Sequence, residues 1–193
     1  MPKALSRPQV LLCDELFATP VPRKEGKRGH LDPEALRWLR ETLGATAAGN
    51  SRPQSAAGER IYISRRDAAT RRVVNEDEVV DFLKSQGFEV VVAGKLPLSR
   101  QIAAFANAKV IVGPHGAGLS NMVFAPPGAK VIELMGSAMF QQGFFLELAE
   151  SCGHGFDRLF CQTRPSKMQH GRVGEHDFDM FVSTGDLARS LAD

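Results

Sequence analysis

From Arg60 onward, short apolar runs alternate with longer segments that carry a single apolar stripe. The short runs predict strands and the striped segments predict helices. Strands are expected at 61–64, 88–92, 110–112, 130–134 and 158–161, and helices at 76–86, 99–107, 120–124, 144–151 and 186–191. Such alternation with short connections predicts an α/β fold, in which a Rossmann-like parallel sheet is flanked by helices.

The residues before Arg60 carry only one clear element. Asp32 and Pro33 are typical of a helix start, and an apolar stripe of three leucines leads to Gly44, which can end the helix. A short strand at 9–12 is the only other candidate, and residues 45–58 are rich in Ala, Gly, Ser and Pro. We therefore expect an N-terminal extension, residues 1–57, with one helix and a linker, followed by a Rossmann-like domain, residues 58–193. In that domain, Asn75 is the expected N-cap of the 76–86 helix, with Glu78 completing a capping box.

The composition of the chain excludes several classes of protein. The 193 residues are 43% hydrophobic and carry a formal net charge of +2, which is typical of a globular domain and too small to predict nucleic-acid binding. Cys13, Cys152 and Cys161 lack metal-ligand spacing, and their odd number argues against a disulfide scaffold. No run is apolar enough to predict a signal peptide or a membrane span. We expect a cytoplasmic location, at most peripheral to a membrane.

A glycine loop follows the 110–112 strand and leads into a helix. Gly113, Gly116 and Gly118 are expected to allow positive φ angles and a close approach to a ligand. The N–H groups at such a helix start suit a phosphate or pyrophosphate. The spacing is neither the dinucleotide fingerprint nor a Walker loop, and a tight turn without a ligand would look similar.

Polar residues also lie at the carboxyl ends of two other predicted strands. Arg65 and Arg66 come after the first strand and could neutralise a pyrophosphate, although an exposed basic loop would look the same. Glu133 could accept hydrogen bonds from ribose hydroxyls, and a structural salt bridge is the alternative. Ligands bind at the carboxyl ends of parallel strands, so these residues and the glycine loop are expected to converge.

The order of several motifs resembles glycosyltransferase family 61. The motifs are YISRRDA at 62–68, Arg72, NEDEVV at 75–80, GFEV at 87–90, VGPHGAGLSN at 112–121, Pro127 with Gly128, and VIEL at 131–134. The resemblance covers about residues 60–135 and fades in the C-terminal third.

This resemblance implies an inverting glycosyltransferase of the two-Rossmann-domain GT-B type, acting on a nucleotide diphosphate sugar and a glycan or glycoconjugate acceptor. The chain resembles the C-terminal, nucleotide-sugar-binding domain, so a missing N-terminal domain is an expected partner. Arg65, Arg66 and the N–H groups of Gly116, Ala117, Gly118 and Leu119 are then assigned to the diphosphate, with Gly113 and Glu133 also in the donor site.

His115 is the candidate catalytic residue, either as a base or as a donor to phosphate or sugar, and its alternative role is to pin the loop. Asn121 could bind sugar or cap the helix. No metal site and no cofactor are expected, because the acidic residues form no D-x-D pair and the histidines are scattered. Two other hypotheses stay open. One is a non-catalytic nucleotide-binding module that needs a partner domain, and the other is an NAD(P)-dependent redox enzyme.

Overall fold

The computed structural model describes residues 31–50, 58–137, 143–165 and 178–192. Within them lies a six-stranded sheet flanked by helices, which confirms the predicted α/β class. The strands are β1 (Arg60–Ile63), β2 (Glu89–Val91), β3 (Val110–Pro114), β4 (Lys130–Gly136), β5 (Gly155–Pro165) and β6 (Phe178–Phe181). The helices are α1 (Pro33–Asn50), α2 (Glu76–Ser85), α3 (Leu98–Phe105), α4 (Phe144–Ser151) and α5 (Thr184–Ala192), with 3-10 helices at Ala93–Lys95 and Ala117–Phe124.

The sheet order is β2-β1-β3-β4-β5-β6. Strands β1 to β5 are parallel, and β6 runs antiparallel to β5 at the edge. The chain leaves β1 for β2 on one side and then crosses to β3 on the other side. The carboxyl ends of β1 and β3 therefore flank the switch point, where α/β sheets bind their ligands. Apolar side chains cover both faces of the sheet, as parallel strands require.

Helix α1 begins as predicted, because the Glu34 N–H donates to Asp32 Oδ1 at 2.8 Å. It does not end at Gly44, as expected, but continues to Asn50. Its leucine stripe, which ends at Leu43, packs on the same sheet face as α3 and α4. Gly44 therefore lies within the helix and does not end it. The expected strand at 9–12 lies outside the described residues, and the boundary at 57/58 stays a prediction.

Asn75 precedes α2 as predicted, but it does not form the expected capping box. Its side chain makes no cap hydrogen bond. Instead, its amide bonds both backbone groups of Val182, donating to the carbonyl at 2.8 Å and accepting from the N–H at 3.0 Å. Glu78 accepts a hydrogen bond from the same amide. The residue therefore ties α2 to the end of β6, a contact that local sequence rules do not reveal.

The observed boundaries of α3 and β5 also differ from the predicted ones. Helix α3 starts at Leu98 behind an extended Pro97 and not behind Ser99, and it ends at Phe105. Strand β5 is longer than predicted, since it pairs with β4 along one half and with β6 along the other. Residues 166–177 lie outside the described part. The α4 prediction is confirmed at both ends.

Candidate functional site

A cavity of about 310 Å³ opens at the switch point. Its walls come from the end of β1, the two 3-10 helices and α3. The cavity has mixed chemistry, with Ser64, Arg65 and Asp67 on the β1 side and Asn121 on the side of the second 3-10 helix. This is the place where the sequence predicted a ligand.

The loop glycines are required for a different reason from the expected one. Among the described residues, positive φ angles occur at other glycines, and Gly116 is extended with φ 161° and ψ 169°. A Cβ at Gly113 or at Gly118 would approach Ile63 to 2.9 Å, and a Cβ at Gly116 would collide with Arg65 Nη1. The glycines thus admit neighbouring side chains, and the prediction of positive φ was wrong.

Residues at the start of the second 3-10 helix line the cavity. Ala117 and Gly118 line it and belong to the first turn, whose N–H groups have no acceptor within the helix. The N–H of Leu119 is already used, because it donates to the Gly116 carbonyl at 2.9 Å, and its side chain is fully buried. The assignment of Leu119 to the ligand stays a prediction, and only the two residues before it have N–H groups suited to an anion.

Arg65 is the cation of the cavity. Its guanidinium lies across Gly116, and Nη2 donates to the Thr70 carbonyl at 3.3 Å. Its Nε is buried without a hydrogen-bond partner in the described part of the chain. Burial lowers the pKa of Arg65, the nearby charge of Arg71 lowers it further, and Asp67 raises it. This guanidinium is therefore short of counter-charge, which suits an anionic ligand.

Arg66 points elsewhere. It forms ion pairs with Glu76 at 3.0 Å and with Asp77 at 2.5 Å, and the hydrogen bond that it donates to Asp77 is the main cause of its raised pKa. It lines a separate cavity of about 280 Å³ together with Arg72. The structure therefore brings Arg65, and not Arg66, to the glycine loop, because successive residues after a strand face opposite sides. A ligand contact of Arg66 stays a prediction.

His115, Glu133 and Arg158 form a buried chain of hydrogen bonds across β3, β4 and β5. His115 Nδ1 lies 2.5 Å from Glu133 Oε1, and Arg158 Nε donates to Glu133 Oε2 at 2.7 Å. Since the carboxylate accepts, Nδ1 carries the hydrogen, and Nε2 is the nitrogen that can face a ligand. The ring packs edge-on against Phe145, with 4.9 Å between ring centroids.

Glu133 is fully buried with both oxygens engaged, which is the salt-bridge alternative raised for it. Contact between Glu133 and a ribose would require these hydrogen bonds to break, because neither carboxylate oxygen is accessible. The predicted ribose contact of Glu133 therefore stays a prediction. Arg158 was missed by sequence reasoning. It lies opposite Glu133 in the β4–β5 register, a pairing that only the sheet defines.

Asn121 belongs to a second hydrogen-bonded pair on the cavity wall. Its Nδ2 donates to Gln101 Oε1 at 3.0 Å and to the Gly118 carbonyl at 3.3 Å. Gln101 in turn donates to the Leu96 carbonyl at 2.9 Å. Gln101 and Asp67 also line the cavity and were not assigned from sequence, although Asp67 stands in the YISRRDA motif.

Comparison with known proteins shows the family of this chain. The profile of the family described as Glycosyltransferase 61 matches residues 3–132, which include β1, the glycine loop and part of β4. The chain belongs to glycosyltransferase family 61.

The relatives of this family 61 chain are named for the transfer of different sugars. The EGF domain-specific O-linked N-acetylglucosamine transferase of Mus musculus is 31% identical over 61% of this chain and 23% of its own length. That of Drosophila melanogaster is 38% identical over 38% of this chain and 14% of its own length. The alpha-1,3-arabinosyltransferase XAT3 of Oryza sativa subsp. japonica is 39% identical over 34% of this chain and 12% of its own length. The chain thus spans less than a quarter of these relatives.

Other chemistry of the family 61 chain lies outside the cavity. In the described ranges, no group of three His, Cys, Asp or Glu residues is arranged to hold a metal ion. Cys152 and Cys161 are buried and free, and burial raises the pKa of Cys161 to about 12, so this thiol is not a nucleophile at neutral pH. None of the helices in the described ranges is long and apolar enough to cross a membrane.

Proposed function

We propose that this chain is the nucleotide-sugar-binding part of an inverting GT-B-type glycosyltransferase, with the donor diphosphate in the switch-point cavity. Membership of family 61 supports glycosyl transfer in general. One observation carries the placement of the donor. Arg65 lies across Gly116 at the cavity edge, next to the unused N–H groups of Ala117 and Gly118. A guanidinium and helix-start N–H groups in one place match the charge of a diphosphate.

The same groups would assist the chemistry. Charge grows on the diphosphate as the glycosidic bond to the sugar breaks, and fixed donors around a leaving group stabilise that charge in the transition state. The burial of Arg65 strengthens its interaction, since fewer water molecules screen it. The role of Arg65 is therefore to bind the donor and to stabilise the departing nucleoside diphosphate.

His115 is proposed to contact the donor or the sugar through Nε2. Glu133 fixes the ring with the Nδ1 hydrogen inward, and Arg158 holds Glu133 in turn. The low exposure of the ring, 4%, favours an orienting contact over proton exchange with an acceptor from solvent. Within this chain, His115 is nevertheless the residue we nominate as base, because its Nε2 can accept a proton.

We propose that a further domain supplies the acceptor site. The chain covers 23% of the mouse relative, which leaves room in such proteins for a second Rossmann domain. The acceptor is proposed to be a glycan or glycoconjugate hydroxyl, since two relatives are named for transfer to an EGF domain and for arabinosyl transfer. Neither the sugar nor the nucleotide base is assigned. A cytoplasmic location, at most peripheral to a membrane, and a polysaccharide product stay proposals.

Calorimetric titration of the chain with UDP, GDP and NAD⁺, with and without Mg²⁺, tests the donor site. Binding of one nucleoside diphosphate without a need for Mg²⁺ is the expected result. Binding of NAD⁺ instead would favour the redox hypothesis, and no binding by the folded chain would refute a preformed donor site. Nucleotide release from the matching nucleotide sugar in the presence of acceptor then separates a transferase from a non-catalytic binding module. The module hypothesis predicts binding without turnover.

A further inference from the structure

The cavity has two chemically different ends. At one end, Arg65 lies beside the start of the second 3-10 helix. At the other end, the Asp67 carboxylate lies over Gly94, so closely that a Cβ on Gly94 would collide with Asp67 Oδ2. Asp67 is exposed, and its charge acts on Arg65, but within the described part of the chain its carboxylate forms no hydrogen bond or close ion pair. Its carboxylate is therefore available to a ligand.

This polarity orients any nucleoside diphosphate in the cavity. A carboxylate only accepts hydrogen bonds and repels a phosphate, so the diphosphate must lie at the Arg65 end. The group that approaches Asp67 must be a hydrogen-bond donor without negative charge. The ribose hydroxyls are such donors, and they follow the diphosphate along the molecule.

A second acceptor lies on the wall of the second 3-10 helix. The Leu96 carbonyl can only accept, so it fixes the amide of Gln101 with Nε2 towards Leu96 and Oε1 towards Asn121. Asn121 must then offer its Nδ2 to Gln101, which leaves Oδ1 as the free end of the amide. Asn121 is one turn beyond Gly118, about 6 Å further along a 3-10 helix, and both residues line the cavity.

We propose that Asp67 and Asn121 Oδ1 accept hydrogen bonds from the ribose hydroxyls of the donor nucleotide, and that the cavity thereby selects ribonucleotides over deoxyribonucleotides. The inference rests on the proposed function for the diphosphate. It moves the ribose contact away from Glu133, whose two oxygens are already bound by His115 and Arg158.

The test compares each nucleoside diphosphate with its 2′-deoxy and 3′-deoxy analogues by calorimetry, using UDP and GDP. For the unmodified chain, at least one deoxy analogue is expected to bind roughly 10- to 100-fold more weakly, the range of a hydrogen bond to a charged group. Asp67→Asn is expected to reduce that preference to about threefold or less, because the variant loses the charge that accepts the hydroxyl. Asp81→Asn is the matched control, since Asp81 is also an exposed aspartate and lies on α2.

Binding of inorganic pyrophosphate tests the Arg65 end of the cavity separately. Asp67→Asn should bind it at least as well as the unmodified chain does, because a repulsive charge has been removed. Equal affinity of the unmodified chain for ribo- and both deoxynucleotides would overturn the inference and leave the donor site standing. A ribose preference that survives in Asp67→Asn would also overturn it. If no nucleoside diphosphate binds at all, the proposed function fails and the inference falls with it.

Discussion

Gly116→Ala should separate ligand binding from stability. Gly116 is extended, with φ 161° and ψ 169°, so alanine can adopt its backbone conformation without strain. The added methyl group would collide with Arg65 Nη1 and lie 2.9 Å from Cζ. These atoms are the tip of a flexible side chain, so Arg65 can swing away and the fold need not change. The substitution therefore acts on the site through Arg65.

The size of the effect follows from what Arg65 contributes. A charge-assisted hydrogen bond is worth roughly 1.5–3 kcal/mol, so loss of Arg65 should weaken nucleoside diphosphate binding about 10- to 150-fold. Gly116→Ala should weaken nucleoside diphosphate binding by a similar factor, because the methyl group occupies the position of the guanidinium. The free energy of unfolding should change by less than about 1 kcal/mol, since the only displaced group is partly exposed.

A double-mutant cycle with Arg65→Ala tests this mechanism by calorimetry, with urea unfolding as the stability measurement. The double variant should bind no more weakly than Arg65→Ala alone. Gly44→Ala in α1 is the control, because no atom lies within 4 Å of its added Cβ, and it should bind like the unmodified chain. Additive losses, or full affinity in folded Gly116→Ala, would refute the idea that the glycine admits Arg65 to the site.

Three further substitutions have distinct expected outcomes. Arg66→Ala should change nucleotide affinity by less than about threefold in calorimetry, because Arg66 pairs with Glu76 away from the cavity; a loss equal to that of Arg65→Ala would contradict the geometry. Glu133→Gln should lower the free energy of unfolding in urea by roughly 3 kcal/mol, since it removes the buried negative charge that pairs with Arg158, and an unchanged value would disprove that contribution. The raised pKa of Cys161, about 12 in place of 9.0, means that the folded state keeps a proton which the unfolded state releases. The contribution of Cys161 to the free energy of unfolding should therefore be full below pH 9 and fall by up to about 4 kcal/mol as the pH approaches 12. When unfolding is measured against pH, Cys161→Ala should not show this decrease.

Local patterns were sufficient where an element is defined by its own residues. The α4 prediction matched because the apolar stripe of 144–151 lies within the segment itself. The parallel sheet followed from apolar runs that must be covered on both faces. The glycine loop and Arg65 were also placed correctly at one edge of the sheet, since both follow parallel strands.

The missed features depend on residues that are distant in sequence. Arg65 and Arg66 cannot be told apart until the end of β1 shows which one faces Gly116. Arg158 meets Glu133 only through the β4–β5 register. The sequence prediction explained the loop glycines by positive φ angles. In the structure, glycine is needed because a Cβ at these positions would collide with neighbouring side chains. Side-chain proximity across strands is not encoded in any short window, so sequence reasoning predicted which strand ends converge and missed the contacts between their side chains.

The tie between α2 and β6 has a consequence for how the chain reaches its folded state. Asn75 bonds Val182, Arg72 pairs with Asp179, and both pairs join residues 107 positions apart. Contacts of such long sequence separation form slowly, because a long loop must close before they are gained. During synthesis, α2 leaves the ribosome long before its partner strand exists. The contacts of Asn75 and Arg72 therefore cannot form until residues 178–182 have been synthesised.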